Sequence, residues 1–265
     1  KEAWIAFLLA VVVIVNLICF IPMSSMISLA MGNGTITDET SDESTALVQE
    51  IAEEGIVLLK NDGTLPLAAD SNLNVFGWAS TNPCYGGTGS GALSDAYPTV
   101  SLLQGLEDAG FNLNTELSDF YTAYRADRPE VGMWAQDWTL PEPTADSYTD
   151  EMMANAKEFS DTAMVVITRV GGEGADLPTD VSKVTYTDNS TEYKDFEAGE
   201  HYLQLSQTEK DMLDLVCANF DNVVVVYNGA NTMELGFLND YKQIKGAIWC
   251  PGTCLLYTSP SPRDR

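Results

Sequence analysis

Apolar residues along the chain fall into short runs rich in Val and Ile, separated by stretches with apolar side chains at helical spacing. The runs at 164–168 and 223–227 have almost no polar interruption, which is typical of strands buried on both faces of a parallel sheet. Further strands are predicted at 73–77 and 244–250, and the capping box at 206–209 opens an amphipathic helix. This alternation predicts an α/β fold, with a mainly parallel sheet and helices on both faces.

The first apolar run differs from the others in its length. Residues 3–21 are apolar apart from Asn16, and a run of 19 residues is close to the length that crosses a bilayer as a helix. We therefore expect residues 1–31 to be one transmembrane or signal helix, and the long apolar core favours an uncleaved anchor. The rest is then extracytoplasmic, either membrane-anchored or secreted after cleavage. The acidic residues 32–44 predict a linker.

The charge balance narrows the possible ligands. The chain has 13 Lys and Arg against 39 Asp and Glu, which gives a formal net charge of −26. Such a surface repels nucleic acid and anionic headgroups, and it suits a neutral substrate. The 5 cysteines form no CxxC pair and His201 is the only histidine, so a histidine-built zinc site is excluded. We predict no cofactor, no metal and no nucleic-acid partner.

One predicted strand ends in a glycine-rich loop that surrounds a carboxylate. Glu173 lies between glycines at 171–172 and 174, shortly after the run 164–168. Ligands of parallel α/β sheets bind beyond the carboxyl ends of the strands, and glycine permits backbone conformations that project a side chain from a tight turn. Glu173 is therefore the candidate catalytic residue, although the pattern alone also fits a solvated surface turn.

A second glycine-rich loop, at 85–91, follows the strand predicted at 73–77. Strand, glycine loop and helix is the arrangement of phosphate and dinucleotide sites. The next helix is predicted to begin near 98 or 99, several residues beyond the last glycine, and the loop has neither a Gly-Lys-Ser/Thr nor a GxGxxG pattern. A tight loop beside a different pocket is favoured, and nucleotide binding is the alternative.

Several stretches, in this order, carry the motifs of one enzyme family. They are AEEGIVLLKNDGTLPL at 52–67, GSG at 89–91, RVGGEGAD at 169–176, VVVVYN at 223–228 and AIW at 247–249. Together they resemble the α/β sandwich domain of glycoside hydrolase family 3, the β-glucosidase family. The resemblance covers roughly residues 45–253.

This resemblance implies a division of labour between two domains. Family members pair the sandwich with a (β/α)8 barrel that supplies an aspartate nucleophile, and in many members the Gly-Glu-Gly loop supplies the acid/base, a role that falls here on Glu173. Arg169 and Asp176, at the ends of the same motif, are predicted to bind substrate. Leu177 stands where an arginine often follows the aspartate. The sandwich directly follows the leader, as in the branch with reversed domain order, so the barrel is expected downstream in the same chain.

The end of the sequence departs from the family pattern. Residues 254–265 resemble translated adapter or vector sequence and are predicted to be non-native. We therefore predict an incomplete sandwich domain at 45–253, a fragment of a membrane-anchored retaining β-glycosidase that hydrolyses terminal β-linked sugars. Retaining enzymes need two carboxylates about 5 to 5.5 Å apart, so a fragment without the barrel is expected to be inactive alone. The alternative is a non-catalytic domain that binds a β-linked oligosaccharide or glycoside, or acts as a scaffold.

Overall fold

The computed structural model describes residues 2–20, 37–86, 99–124, 138–174, 176–184 and 195–252. The chain divides into two units, Lys1–Thr45 and Ala46–Arg265. The sheet and the candidate site described below belong to the second unit.

The apolar leader forms helix α1, Glu2–Phe20. A helix needs about 20 predominantly apolar residues to cross the hydrocarbon core of a bilayer. Within the part of the chain that the structure describes, none of the helices combines the length and apolar character that such a crossing requires. The predicted transmembrane helix is therefore not supported.

Helix α2 spans Asp38–Gly55. Its first residues fall inside the linker predicted at 32–44, whose residues 32–36 lie outside the described residues. The hydroxyl of Thr37 accepts a hydrogen bond from the backbone N–H of Thr40 at 3.2 Å, and acidic residues in the first turn interact favourably with the helix dipole. Capping and acidic composition thus extend the helix into a segment predicted to be irregular.

A six-stranded mixed sheet forms the centre of the second unit, in the order β1-β6-β5-β4-β2-β3. All neighbouring strands are parallel except β1, which pairs antiparallel with β6. The mainly parallel sheet predicted from the sequence is confirmed. The strands are β1 (Val57–Asn61), β2 (Asn72–Phe76), β3 (Asn112–Leu113), β4 (Thr162–Thr168), β5 (Asn222–Asn228) and β6 (Ile244–Cys250).

Helices cover both faces of this sheet, as predicted. They are α3 (Leu102–Asp108), α4 (Thr115–Tyr124), α5 (Asp150–Phe159) and α6 (Gln207–Asn219). Strand side chains alternate between the faces because the repeat of a strand is two residues. One face packs on α4, α5 and α6 through a cluster that includes Phe76, Val165, Val225, Leu117, Met153 and Leu213. The other packs on α3 through a cluster that includes Val75, Met164, Val226, Leu102 and Leu106.

The capping box predicted at the start of α6 is present. The Ser206 side chain accepts from the backbone N–H of Glu209 at 3.2 Å, and Glu209 Oε2 accepts from the backbone N–H of Ser206 at 2.9 Å. Both residues are buried. Glu209 therefore fixes the beginning of α6 close to the sheet, from where its carboxylate also reaches the end of β4.

Candidate functional site

The parallel strands β2, β4, β5 and β6 all end at one edge of the sheet, and the residues that follow them surround a cleft of about 290 Å³. Each strand contributes to its lining: Cys84 and Gly86 follow β2, Gly171 and Asp176 follow β4, Asn231 follows β5, and Gly252 follows β6. The cleft thus lies beyond the carboxyl ends of the strands, where ligands of parallel α/β sheets bind.

Glu173 lies in the turn after β4 and is exposed. Gly171 and Gly172, immediately before it, line the cleft. Gly174 has a φ of 72°, a left-handed conformation that favours glycine at this position. The turn therefore presents the candidate acid at the rim of the cleft, and its catalytic role stays a prediction.

Arg169 begins the same loop and is completely buried. Its Nη1 and Nη2 atoms each donate to one carboxylate oxygen of Glu209 at 2.7 Å. The remaining bonds go to backbone carbonyls, from Nε to Tyr202 at 2.7 Å, from Nη1 to Thr168 at 2.8 Å and from Nη2 to Gln204 at 2.6 Å. A guanidinium has five N–H donors, and these bonds use all of them.

This arrangement decides what Arg169 can do chemically. Burial opposes the charged guanidinium, but the Glu209 carboxylate outweighs that effect and raises the pKa of Arg169. No N–H of its side chain is left for a sugar hydroxyl in this arrangement. The predicted direct contact between Arg169 and substrate stays a prediction, and the contacts support a positioning role at the root of the Glu173 loop.

Asp176 is exposed and lines the cleft, so its carboxylate is placed where a ligand would contact it. Its predicted role in substrate binding stays a prediction. Leu177, which replaces a frequent arginine of the family, is partly buried against an apolar cluster that includes Trp138, Val170, Val181 and Tyr202. The leucine thus lines the cleft with an apolar side chain and offers no charge to it.

Asn228 contributes to the site, although the sequence pattern indicated only that it ends a strand. Its side chain is buried. Oδ1 accepts from the backbone N–H of Cys84 at 2.5 Å, and Nδ2 donates to the carbonyls of Cys84 at 3.1 Å and Cys250 at 3.4 Å. Its own carbonyl accepts from the N–H of Arg169 at 3.3 Å. One amide therefore ties the loop after β2 to the ends of β5 and β6, and the same residue contacts the Glu173 loop. A polar residue that ends a run of valines was the available signal.

Glu142 was not identified from the sequence either, since it lies in an irregular proline-containing stretch. It is buried, and its carboxyl oxygens accept from the backbone N–H of Trp78 at 2.9 Å and from the hydroxyl of Tyr148 at 2.8 Å. The Tyr148 hydroxyl also bonds that of Tyr121 at 2.8 Å. Burial raises the pKa of the Glu142 carboxyl to about 8. Glu142 therefore holds the loop after β2 through its bond to Trp78, and it does not line the cleft described above.

Of the glycine-rich loop behind the nucleotide-binding alternative, the structure describes only its first two residues, and Gly86 lines the cleft. Residues 87–98, which include most of the glycine-rich loop at 85–91, are outside the described residues. Helix α3 is only 7 residues long and is capped by Ser101, which accepts from Gln104. His201 is partly exposed and contacts Glu234 at 3.0 Å, a surface arrangement. Among the described residues no cluster of three or more metal-ligating side chains forms.

Comparison with known proteins identifies the family. The sequence profile of the glycosyl hydrolase family 3 C-terminal domain matches residues 56–254. The chain belongs to glycosyl hydrolase family 3. A β-glucosidase of Ruminococcus albus is 30% identical over 195 residues, 72% of this chain and 18% of that protein. β-Glucosidase A of Butyrivibrio fibrisolvens is 29% identical over 234 residues, 83% of this chain and 27% of that protein.

Solved structures of this family share the fold. The crystal structure of a β-glucosidase from Paenibacillus barengoltzii superposes with a TM-score of 0.64 at 28% identity, and the match covers 84% of this chain and 23% of that one. This family 3 chain therefore spans less than a third of the length of each of these three proteins.

Proposed function

We propose that this family 3 domain belongs to a retaining β-glycosidase of the β-glucosidase type, which hydrolyses terminal β-linked sugars, and that Glu173 is its acid/base. The observation that carries the proposal is the position of Glu173, on a glycine turn at the rim of a cleft beyond the parallel strands. Membership of the family supports it, as do relatives that are themselves β-glucosidases.

The chemistry requires Glu173 in two protonation states. In the first step a carboxylate nucleophile attacks the anomeric carbon, while the protonated Glu173 gives its proton to the glycosidic oxygen and the leaving alcohol departs. In the second step the Glu173 carboxylate takes a proton from the water that attacks the glycosyl-enzyme, which releases the sugar and restores the acid. The nucleophile is proposed to come from a barrel domain of the same enzyme.

The exposure of Glu173 fits a two-domain site. A catalytic acid must be protonated near the working pH, and burial or a neighbouring negative charge produces the necessary rise in pKa. Glu173 is exposed in this domain, so the covering surface and the second carboxylate would both come from the barrel and the bound sugar. The domain alone is therefore proposed to be inactive.

Two predicted site residues take different parts in this proposal. Asp176, exposed in the cleft, accepts hydrogen bonds from sugar hydroxyls. Arg169 acts through the protein, because its ion pair with Glu209 fixes the root of the loop that carries Glu173. The extracytoplasmic location expected from the sequence remains a prediction.

The decisive experiment replaces Glu173 in an enzyme that joins this domain to its barrel. General acid catalysis contributes about 10²- to 10⁴-fold to rate, so Glu173→Gln should lower kcat on disaccharides by that factor. For substrates with a good phenolate leaving group, kcat/KM should fall much less, since kcat/KM reports the first step and these substrates need no proton there. Glu158→Gln, an exposed position on α5, is the matched control. Normal turnover of disaccharides by Glu173→Gln would refute the role.

A further inference from the structure

The cleft contains a buried amide donor to which no residue in the described part of the chain is hydrogen-bonded. Asn231 lines the cleft, and its Nδ2 atom is buried with no hydrogen-bond partner among the residues that the structure describes. Buried polar groups in native proteins are nearly always paired, so each exception asks for an explanation such as a binding role. Two other atoms share this property, the hydroxyls of Ser80 and Thr168, but neither residue lines this cleft.

The loop that carries Asn231 is held firmly. The hydroxyl of Tyr227 donates to the Asn231 carbonyl at 2.8 Å, and the indole N–H of Trp249 donates to the Gly229 carbonyl at 2.8 Å. The N–H of Gly229 donates in turn to Cys250 at 3.1 Å. Gly229 itself has no room for a side chain, because a Cβ would lie 2.8 Å from the Arg169 carbonyl. The amide of Asn231 is therefore placed by the rigid ends of β5 and β6.

The same amide touches the loop of the candidate acid. A Cβ added to Gly171 would lie 3.0 Å from Asn231 Oδ1 and 3.2 Å from Nδ2, so the glycine backbone covers the amide. Gly171 is only two residues before Glu173. The terminal torsion of an asparagine is soft, so the amide of Asn231, a residue that lines the cleft, can turn without a movement of the main chain.

We infer that the side-chain amide of Asn231 donates a hydrogen bond to a hydroxyl of the leaving-group sugar. This rests on the proposed function, in which Glu173 protonates the glycosidic oxygen, the atom that joins the leaving group to the reacting sugar. Residues of this domain that lie beside Glu173 are then close to the leaving-group sugar. A sugar hydroxyl both accepts and donates, so it matches Asn231 as donor and the exposed carboxylate of Asp176 as acceptor.

Binding can be measured on the chain itself, without turnover. Titration of the 15N-labelled 265-residue chain with cellobiose should shift the side-chain amide signal of Asn231 in a saturable way, at millimolar concentration. Asn231→Ala and the near-isosteric Asn231→Asp should weaken binding about three- to tenfold, the usual effect of one neutral hydrogen bond. Asn155→Ala, on the exposed side of α5, is the control and should leave binding unchanged. No saturable shift of cleft residues at tens of millimolar would overturn the inference.

Kinetics of the enzyme joined to its barrel separate a sugar contact from an effect on the acid. Asn231→Ala should raise KM for cellobiose about three- to tenfold and leave phenyl β-glucoside, whose leaving group has no sugar hydroxyl, unchanged. An equal change in KM for both substrates would show that Asn231 acts by positioning Glu173. That result would overturn the hydrogen bond from Asn231 to the sugar. If Glu173→Gln is fully active while Asn231→Ala still weakens cellobiose binding, the proposed acid is wrong and the sugar contact stands.

Discussion

Arg169 and Glu173 lie on one loop, four residues apart, and have opposite environments. Arg169 is fully buried and all of its donors are used, whereas Glu173 is exposed at the tip. The root of the loop is thus fixed by a paired, desolvated charge, and the tip is exposed. A fixed root and an exposed tip are compatible with the proposed role of Glu173 as the acid/base. Substitutions that act on the root should affect folding, and those that act on the tip should affect only chemistry.

The largest effect on stability is expected at the root. Arg169→Ala leaves Glu209, 5% exposed, without its partner, and breaking a buried pair costs about 3–5 kcal/mol. Urea unfolding of the purified chain should show this loss. Lys183→Ala removes an ion pair with Asp180 in which the lysine side chain is 77% exposed, and it should shift the midpoint much less. The double change Arg169→Met with Glu209→Leu should recover part of the loss, because no unpaired charge remains. It should not recover all of it, because the capping bond from Ser206 and the bonds of Arg169 to backbone carbonyls are also removed. A single-variant loss no larger than that of the control would contradict a buried structural pair.

Asn74 and Asn228 are both buried, and they contact opposite ends of the parallel strands. Asn74 Nδ2 donates to the carbonyls of Ala156 at 2.8 Å and Ser160 at 3.1 Å, near the amino end of β4, while Asn228 ties the carboxyl ends. Each change to alanine should lower the free energy of unfolding by about 2–3 kcal/mol, because buried partners lose their bonds. Only Asn228→Ala should shift the NMR signals of Cys84 and the cleft loops. Equal shifts from Asn74→Ala would remove the special position assigned to Asn228.

The buried acid Glu142 predicts how stability changes with pH. Its pKa is raised from 4.5 to about 8 when folded, so between those values the folded state holds a proton that the unfolded state has lost. Its contribution is present in full below about pH 4.5 and is lost as the pH rises through 8. From about pH 6 to pH 8 it should lower the unfolding free energy by roughly 2 kcal/mol.

Denaturation across this range measures that slope. Glu142→Gln keeps the shape of the side chain and removes the titration, so the difference between the two proteins isolates Glu142 from the other carboxylates. Parallel profiles for the two proteins would show that Glu142 does not titrate in this window.

The smallest effect on stability is expected at the tip. Glu173 is exposed, and substitutions at such positions usually change stability by less than about 0.5 kcal/mol. Glu173→Gln should therefore unfold at the same urea concentration as the parent chain while abolishing most disaccharide turnover in the complete enzyme. A large loss of stability would place Glu173 in the framework and weaken the contrast with Arg169.

Local sequence patterns were sufficient for the sheet and for the position of the loop. The runs of Val and Ile at β4 and β5 predict strands covered on both faces, and the capping box at Ser206 predicts the start of α6. The glycines around Glu173 place it in a turn after a strand. Each of these features depends on residues close together in sequence, so periodicity and composition contain the necessary information.

Only the tertiary structure decided which polar residues share an environment. The sequence predicts that Arg169 binds substrate, and the structure shows that its guanidinium forms an ion pair with Glu209, 40 residues later. Asn228 reaches Cys84 across 144 residues, and Glu142 is buried by strands and helices from distant parts of the chain. The sequence by itself determined the strands β2, β4, β5 and β6, the start of α6 and the turn at Glu173, because those follow from local spacing. Burial and hydrogen-bond pairing arise from packing between distant segments, so the fold alone decided which groups are structural and which remain available to a ligand.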